Sequence, residues 1–295
     1  MPESPSCWIN GKLVTRNEAN VSVFDHGFLY GDGVFEGIRF FNNHPFMLHE
    51  HLVRLQKSAK AIGLELPYDN QAVLNAIELI INNFTEDSGY LRLIVTRGVG
   101  PLGLDPTGCT KPSLFIMADQ LAIVSERTRS AGVKLIIAST RRLPNDGLDS
   151  RIKSLNYLNQ ILARMEANQA GADEAVLLNQ AGRVAEGTTE NIFIITEDKL
   201  LTPPVTEGAL EGITRNLVIQ LAQQNGIAVA ESALTTYDLY NADECFLTGT
   251  GAELIPVYEI DGRSVKICPG PIYKQIEVFY KKTIMYKSEI YTRTM

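Results

Sequence analysis

Absences narrow this sequence first. Its four cysteines, Cys7, Cys109, Cys245 and Cys268, are widely spaced over 295 residues and form no CxxC pair. Neither a disulfide framework nor a zinc site is expected, and a reducing compartment fits. Basic charge is not in excess: 27 Lys and Arg against 34 Asp and Glu leave a net charge of −7, so no nucleic-acid partner is expected. No apolar run approaches the ~20 residues of a membrane span, and MPESPSCWIN has no apolar signal core. No membrane partner is expected, and the cytoplasm is the expected location. Histidine is scarce, and only His49 and His51 in "HEH" lie close together. On a helix i and i+2 diverge, and the HExxH spacing is missing, so no metal is expected.

What is there is a globular chain, 45% hydrophobic and 21% charged, long enough to bury a core without staples. "SCWINGKLV" and "NVSVFD" read as short strands, and "GVFEGIRFFNNHPFML" reads as a hairpin turning at Asn42-Asn43. Helices follow over roughly Glu50 to Ile62 and from Asp69 to near Asn83. "GYLRLIVTRG" and "KPSLFIMAD" then read as strands. The polar stretch "SERTRSAG" is the best boundary. It gives a small N-terminal α/β domain over 1–124, a linker over 125–132 and a larger domain over 133–295 that carries Lys153. Beyond the boundary, β-like runs alternate with helices beginning near Ser154, Thr214 and Pro271. The fold class is α+β: two mixed α/β domains with a cleft expected between them.

Lys153, in "RIKSLNYLNQILARMEANQAG", stands before a marked helix. Ser154 reads as its N-cap, and Leu155, Leu158, Ile161, Leu162 and Met165 form a helical stripe closed by Gly171. Position alone favours a solvated lysine. Three other segments add chemistry. Glu186 sits in a turn between apolar runs in "GRVAEGTTENIFII". Gly212 precedes a helix whose first turn holds Ile213 and Thr214. "FLTGTGAELIPV" ends a strand in a Gly-rich turn. A helix start with small residues and a hydroxyl suits a phosphate, and the turn offers further N–H donors. Taken singly, each is more often a cap, a tight turn or a solvated loop residue.

In this order, with "WINGKLV", "YGDGVFEGIR", "HLVRL" and "IKSLNYL", these segments resemble the fold-type IV, pyridoxal-phosphate-dependent aminotransferases over nearly the whole chain. Within that family they look most like the branched-chain amino-acid aminotransferases. The resemblance implies pyridoxal 5'-phosphate at the interface of the two domains. Lys153 would join covalently to its aldehyde and later act as the base at the substrate Cα; a partly desolvated amine is the neutral nucleophile this needs. Glu186 would face the pyridine nitrogen and keep it protonated. Arg54 would hold the phosphate with Ile213, Thr214 and Thr250, a planar, permanently charged fork being well matched to it. Tyr157, read as one turn along the same helix, would reach the ring oxygen; its plainer reading is a core aromatic.

For the substrate, the resemblance implies an apolar wall of Tyr30, Phe35 and Gly37. Tyr90 and Arg92 would admit the γ-carboxylate of glutamate, and the N–H groups of Gly251 and Ala252 would take the α-carboxylate. Leu104 would complete a neighbouring subunit's pocket, implying a homodimer, with Arg39 and Arg97 as possible helpers. The implied reaction moves an amino group between leucine, isoleucine or valine and 2-oxoglutarate, so the partners are branched-chain amino acids and 2-oxo acids with glutamate. A D-amino-acid aminotransferase is the alternative. Gly37 after Glu36, Tyr157, and Val99 where that branch has histidine count against it, while "TRG" at Thr96 to Gly98 keeps it open. Aminodeoxychorismate lyase fits less well. A protein that binds the cofactor without turnover would need a defect in the lysine, carboxylate or phosphate site, and all three are present.

Overall fold

The structure is a computed structural model and describes residues 7–120 and 130–294; most of the linker expected at 125–132 lies outside the described residues. The chain divides into two compact units. The first takes the N-terminal residues to about 120 and, unexpectedly, the short segment Ile152–Asn156.

The first unit is a six-stranded sheet in the order β2-β1-β6-β5-β3-β4, every neighbouring pair antiparallel. Its strands are β1 (Cys7–Ile9), β2 (Lys12–Val14), β3 (Gly33–Phe41), β4 (His44–Pro45), β5 (Gly89–Thr96) and β6 (Ser113–Asp119). Its helices are α1 (His26–Tyr30), α2 (Leu48–Ala61) and α3 (Asn70–Asn82). Asn42 and Asn43 both have positive φ, 51° and 64°, the backbone that a two-residue hairpin turn demands and asparagine tolerates. Asp69 caps α3 by accepting the Ala72 N–H, as its sequence position predicts. "NVSVFD" forms no strand; Asp25 there instead caps α1.

Period-two alternation sends Val34, Ile38 and Phe40 of β3 and Leu91 and Leu93 of β5 to one face, where they pack with Leu52, Leu55, Ile77 and Ile80 of α2 and α3. Each such side chain contributes about 1.5–3 kcal/mol by leaving water. Glu36 lies at an inward position of the same run and is fully buried.

The second unit is a mixed sheet ordered β12-β11-β10-β13-β14-β7-β8-β9, with β15 paired to β14. Its strands are β7 (Val133–Ile137), β8 (Glu174–Leu178), β9 (Val184–Gly187), β10 (Asn191–Thr196), β11 (Lys199–Thr202), β12 (Val229–Glu231), β13 (Glu244–Gly249), β14 (Glu253–Ile260) and β15 (Arg263–Ser264). The helices are α4 (Leu158–Gln169), α5 (Ile213–Gln224), α6 (Thr236–Tyr240) and α7 (Pro271–Thr294), the last grouped with this unit only as far as Tyr286. No described helix is long and apolar enough to cross a membrane.

Three sequence expectations are corrected here. Lys153 does not belong to the second unit. The Phe35 N–H donates to the Lys153 carbonyl at 2.9 Å and the Leu155 N–H to the Gly33 carbonyl at 3.0 Å, and Ser154 bridges Val34, so residues 153–155 run extended beside β3. For the same reason Ser154 is not an N-cap. The helix begins at Leu158 with Tyr157 in the cap position, so Tyr157 does not follow Lys153 along a helix. Finally, α4 does not bury its large apolar residues. Gln160, Ala163 and Ala167 are buried, the two alanines packing with Ala138, Ala175 and Leu177, while Leu158, Ile161, Leu162 and Met165 are exposed. Small residues let the helix sit close to the sheet and leave its bulky stripe outside.

Candidate active site

In the first unit the expected residues gather around Phe35. The Lys153 Nζ lies over the Phe35 ring at 4.6 Å from its centroid, and the Arg92 guanidinium at 4.5 Å, both within cation–π range. Arg92 also lies 5.5 Å from the Tyr90 ring centre. Register explains the grouping. Gly37 faces Arg92 and Arg39 faces Tyr90 across β3 and β5, so these side chains share one face of the sheet. A Cβ at residue 37 would overlap the Tyr90 hydroxyl; the glycine makes room for Tyr90. Gly33 likewise admits the lysine segment, since a Cβ there would lie 2.7 Å from Leu155 Cδ1.

The other face of β3 holds a buried ion cluster that the sequence reading missed. Glu36 accepts from Arg54 Nε at 2.7 Å and Nη2 at 2.8 Å, and pairs with His51 Nδ1 at 2.7 Å. Burial alone would raise the Glu36 pKa, but the charges and hydrogen bonds of Arg54 and His51 outweigh it and bring it to about 2. Burial lowers the pKa of His51, against the pull of the Glu36 carboxylate, and because an ionised carboxylate only accepts, Nδ1 is the donor between them. One turn beyond Arg54, Ser58 accepts the Lys153 N–H at 3.1 Å. The helix bearing the expected phosphate ligand therefore also pins the backbone of the expected nucleophile. The signal for Glu36 was legible: a carboxylate at a core-facing position of an apolar strand, with His51 and Arg54 spaced i, i+3 on the next helix.

Of the remaining expectations in this unit, Tyr30 accepts the Gly103 N–H at 2.9 Å, and Leu104 beside it is 82% exposed. Arg97 is engaged by Asp32 at 2.9 Å and by the carbonyls of Ile62 and Gly63. Arg39 lies over Phe41 at 5.0 Å.

In the second unit Glu186 lies on strand β9 rather than in a turn, and is buried. Its Oε2 accepts the Leu210 N–H at 2.8 Å, and its Oε1 pairs with Arg142 Nη2 at 3.0 Å. Arg142, another residue missed from sequence, gave no periodic signal in "STRRLPND". Two residues beyond Leu210, Gly212 opens α5 with no side-chain cap, so Ile213 and Thr214 form its first turn. Asn191 donates from Nδ2 to the Leu210 carbonyl at 2.9 Å and stands in register with Thr248. β13 then runs into the turn holding Thr250, Gly251 and Ala252. Glu186, the helix start and the Gly-rich turn thus converge through residues 191 and 210. Tyr157 is half-buried in this unit.

Residues 33–260 match the family described as amino-transferase class IV. The chain belongs to the class IV aminotransferases. Among relatives of this class IV aminotransferase, a Methanocaldococcus jannaschii protein, provisionally assigned as a branched-chain-amino-acid aminotransferase, is 50% identical over 93% of this chain and 94% of its own. The D-alanine aminotransferase of Bacillus licheniformis is 37% identical over 94% and 96%. The crystal structure of the branched-chain amino acid aminotransferase of Thermobaculum terrenum in its PLP-form superposes with a TM-score of 0.87 at 33% identity, over 96% and 94% of the two chains.

Proposed function

We propose that this aminotransferase uses pyridoxal 5'-phosphate to move the amino group between branched-chain L-amino acids and 2-oxoglutarate. The observation that carries the reading is that the Lys153 amine and the Arg92 guanidinium both lie over the Phe35 ring, 4.6 and 4.5 Å from its centroid. An apolar ring and a cation meet beside the amine, as a site alternating between an aliphatic side chain and a γ-carboxylate requires. The second unit's residues fit a phosphate-bearing cofactor. The start of α5 has no side-chain cap, and the Thr248 hydroxyl is buried without a hydrogen-bond partner, an arrangement that a bound anion would satisfy.

The bound cofactor supplies an electron sink for the pair left on the substrate Cα. Lys153 Nζ would hold the cofactor and, once freed by the substrate amine, carry the proton between the substrate Cα and the cofactor's C4′. Arg54, Ile213, Thr214 and Thr250 hold the phosphate, Tyr157 the ring oxygen and Glu186 the ring nitrogen. Gly251 and Ala252 offer N–H groups to the α-carboxylate, Tyr30, Phe35 and Gly37 form the side-chain wall, and Tyr90 with Arg92 receives the γ-carboxylate. A homodimer in the cytoplasm is part of this reading. Phe24, Phe28, Leu102 and Leu104 are exposed together, joined by the Gly100 N–H to Phe24 carbonyl bond. Such faces mark association surfaces, and Leu104 would reach the partner's pocket.

The test follows conversion of the cofactor to its amine form by absorbance with L-leucine, L-glutamate and D-alanine separately. Leucine and glutamate should convert it, and D-alanine alone converting it would favour the D-specific branch that the Bacillus relative represents. Arg92→Gln should slow the glutamate half-reaction at least tenfold more than the leucine one; equal losses would remove Arg92 from its role.

A further inference from the structure

We propose that Arg142 is a positioning residue whose guanidinium holds the Glu186 carboxyl ionised, so that the proton shared with the cofactor sits on the ring nitrogen. The inference rests on the reading that Glu186 faces that nitrogen.

Arg142 is built in from several sides. Its N–H donates to the Leu178 carbonyl at 2.9 Å, and its own carbonyl accepts from Gln180 Nε2 at 3.3 Å. Its Nε donates to the Gly208 carbonyl at 2.9 Å, which aims Nη2 at Glu186 Oε1, 3.0 Å away. Gly208 adopts φ 105°, and a Cβ there would lie 3.1 Å from Arg142 Cγ, so the glycine permits both the turn and the side chain's path. Both side chains are almost fully buried, 8% exposed for Arg142 and 7% for Glu186.

Burial favours the neutral form of a carboxyl group. A lone buried Glu186 facing a pyridine nitrogen would therefore favour the uncharged pair, acid and free base, over carboxylate and pyridinium. Arg142 reverses that preference. Its positive charge touches the carboxylate directly and stabilises the anion. The Leu210 N–H at Oε2 acts in the same direction. The proton is thereby held on nitrogen, the form that draws electrons from the substrate.

The test uses holoenzyme loaded with cofactor carrying nitrogen-15 in the ring, whose chemical shift reports protonation. The wild type should show the pyridinium shift. Arg142→Gln should move it towards the free-base position, and Arg142→Lys, which keeps the charge, should restore most of it. Glu186→Gln is the control for the underlying reading. If it leaves the shift unchanged, Glu186 does not serve the ring nitrogen, and the proposal falls with that reading. If Glu186→Gln removes the pyridinium signal but Arg142→Gln keeps it, the reading stands and Arg142 has no such part. Should Arg142→Gln fail to fold, the carbon-13 shift of the Glu186 carboxyl in unaltered holoenzyme decides, with Glu186→Gln giving the assignment. An ionised carboxyl is expected, and a protonated one overturns the proposal.

Discussion

Two glutamates, one in each unit, are equally hidden from water and behave in opposite ways. Glu36 on β3 has a pKa drawn down to about 2, and Glu190, just before β10, has one pushed up to about 7. Burial raises both. The difference lies in the neighbours: Glu36 meets Arg54 and the Nδ1–H of His51, whereas Glu190 faces the carboxylate of Glu174 and is relieved mainly by hydrogen bonds from Thr189. Arg164, whose side chain is about half exposed, pairs with Glu174 at 2.8 Å. Burial sets the stakes for a carboxyl group, and the sign of its nearest neighbour decides the outcome.

The comparison breaks most visibly at Glu36. Glu36→Gln strips the countercharge from the largely enclosed Arg54 and should cost about 3–5 kcal/mol in denaturant-induced unfolding at neutral pH. An unchanged midpoint would mean that the cluster does not stabilise the unit. Because the folded pKa lies below the unfolded value, the Glu36 contribution is present above about pH 4.5 and is lost as pH falls through about 2.

Glu190 should behave in the reverse sense. Its folded pKa lies above the unfolded one, so its contribution is full below about pH 4.5 and is lost as pH rises through about 7. Glu190→Gln should therefore raise stability by on the order of 2 kcal/mol at about pH 8 and change it little at about pH 4. Thermal melts across that range check the point, and a variant that tracks the wild type at every pH would contradict it.

The smallest effect sharpens the view of β3 itself. Gly37→Ala sets a methyl against Tyr90 and should cost about 1–3 kcal/mol, as overpacking does. Adding Tyr90→Phe should recover only part, because the ring carbon Cζ would also lie 2.5 Å from the new Cβ. Full recovery would place the conflict in the hydroxyl alone.

What the sequence made legible was local. The Asn42-Asn43 turn, the Asp69 cap, the α5 start at Gly212 and the alternation of Tyr90 and Arg92 all follow from rules that act within a few residues. What it hid was long-range. Nothing near Lys153 indicates that residues 153–155 pair with Gly33 and Phe35, more than a hundred positions away, and the apolar stripe after it mimicked a buried helix because period alone does not say which side faces the sheet. Glu36 was a partial exception, since its inward place on β3 and the i, i+3 spacing of His51 and Arg54 were readable but their meeting across the sheet and helix was not. Arg142 had no signal before Gly208 and Glu186 were folded against it.

The account rests on the amine of Lys153, and a direct measurement reaches it. Holoenzyme would be treated with borohydride, digested and mapped by mass spectrometry. A phosphopyridoxyl group on Lys153, and its loss in Lys153→Ala, is the expected result; the label on another lysine, or on none, would contradict the assignment.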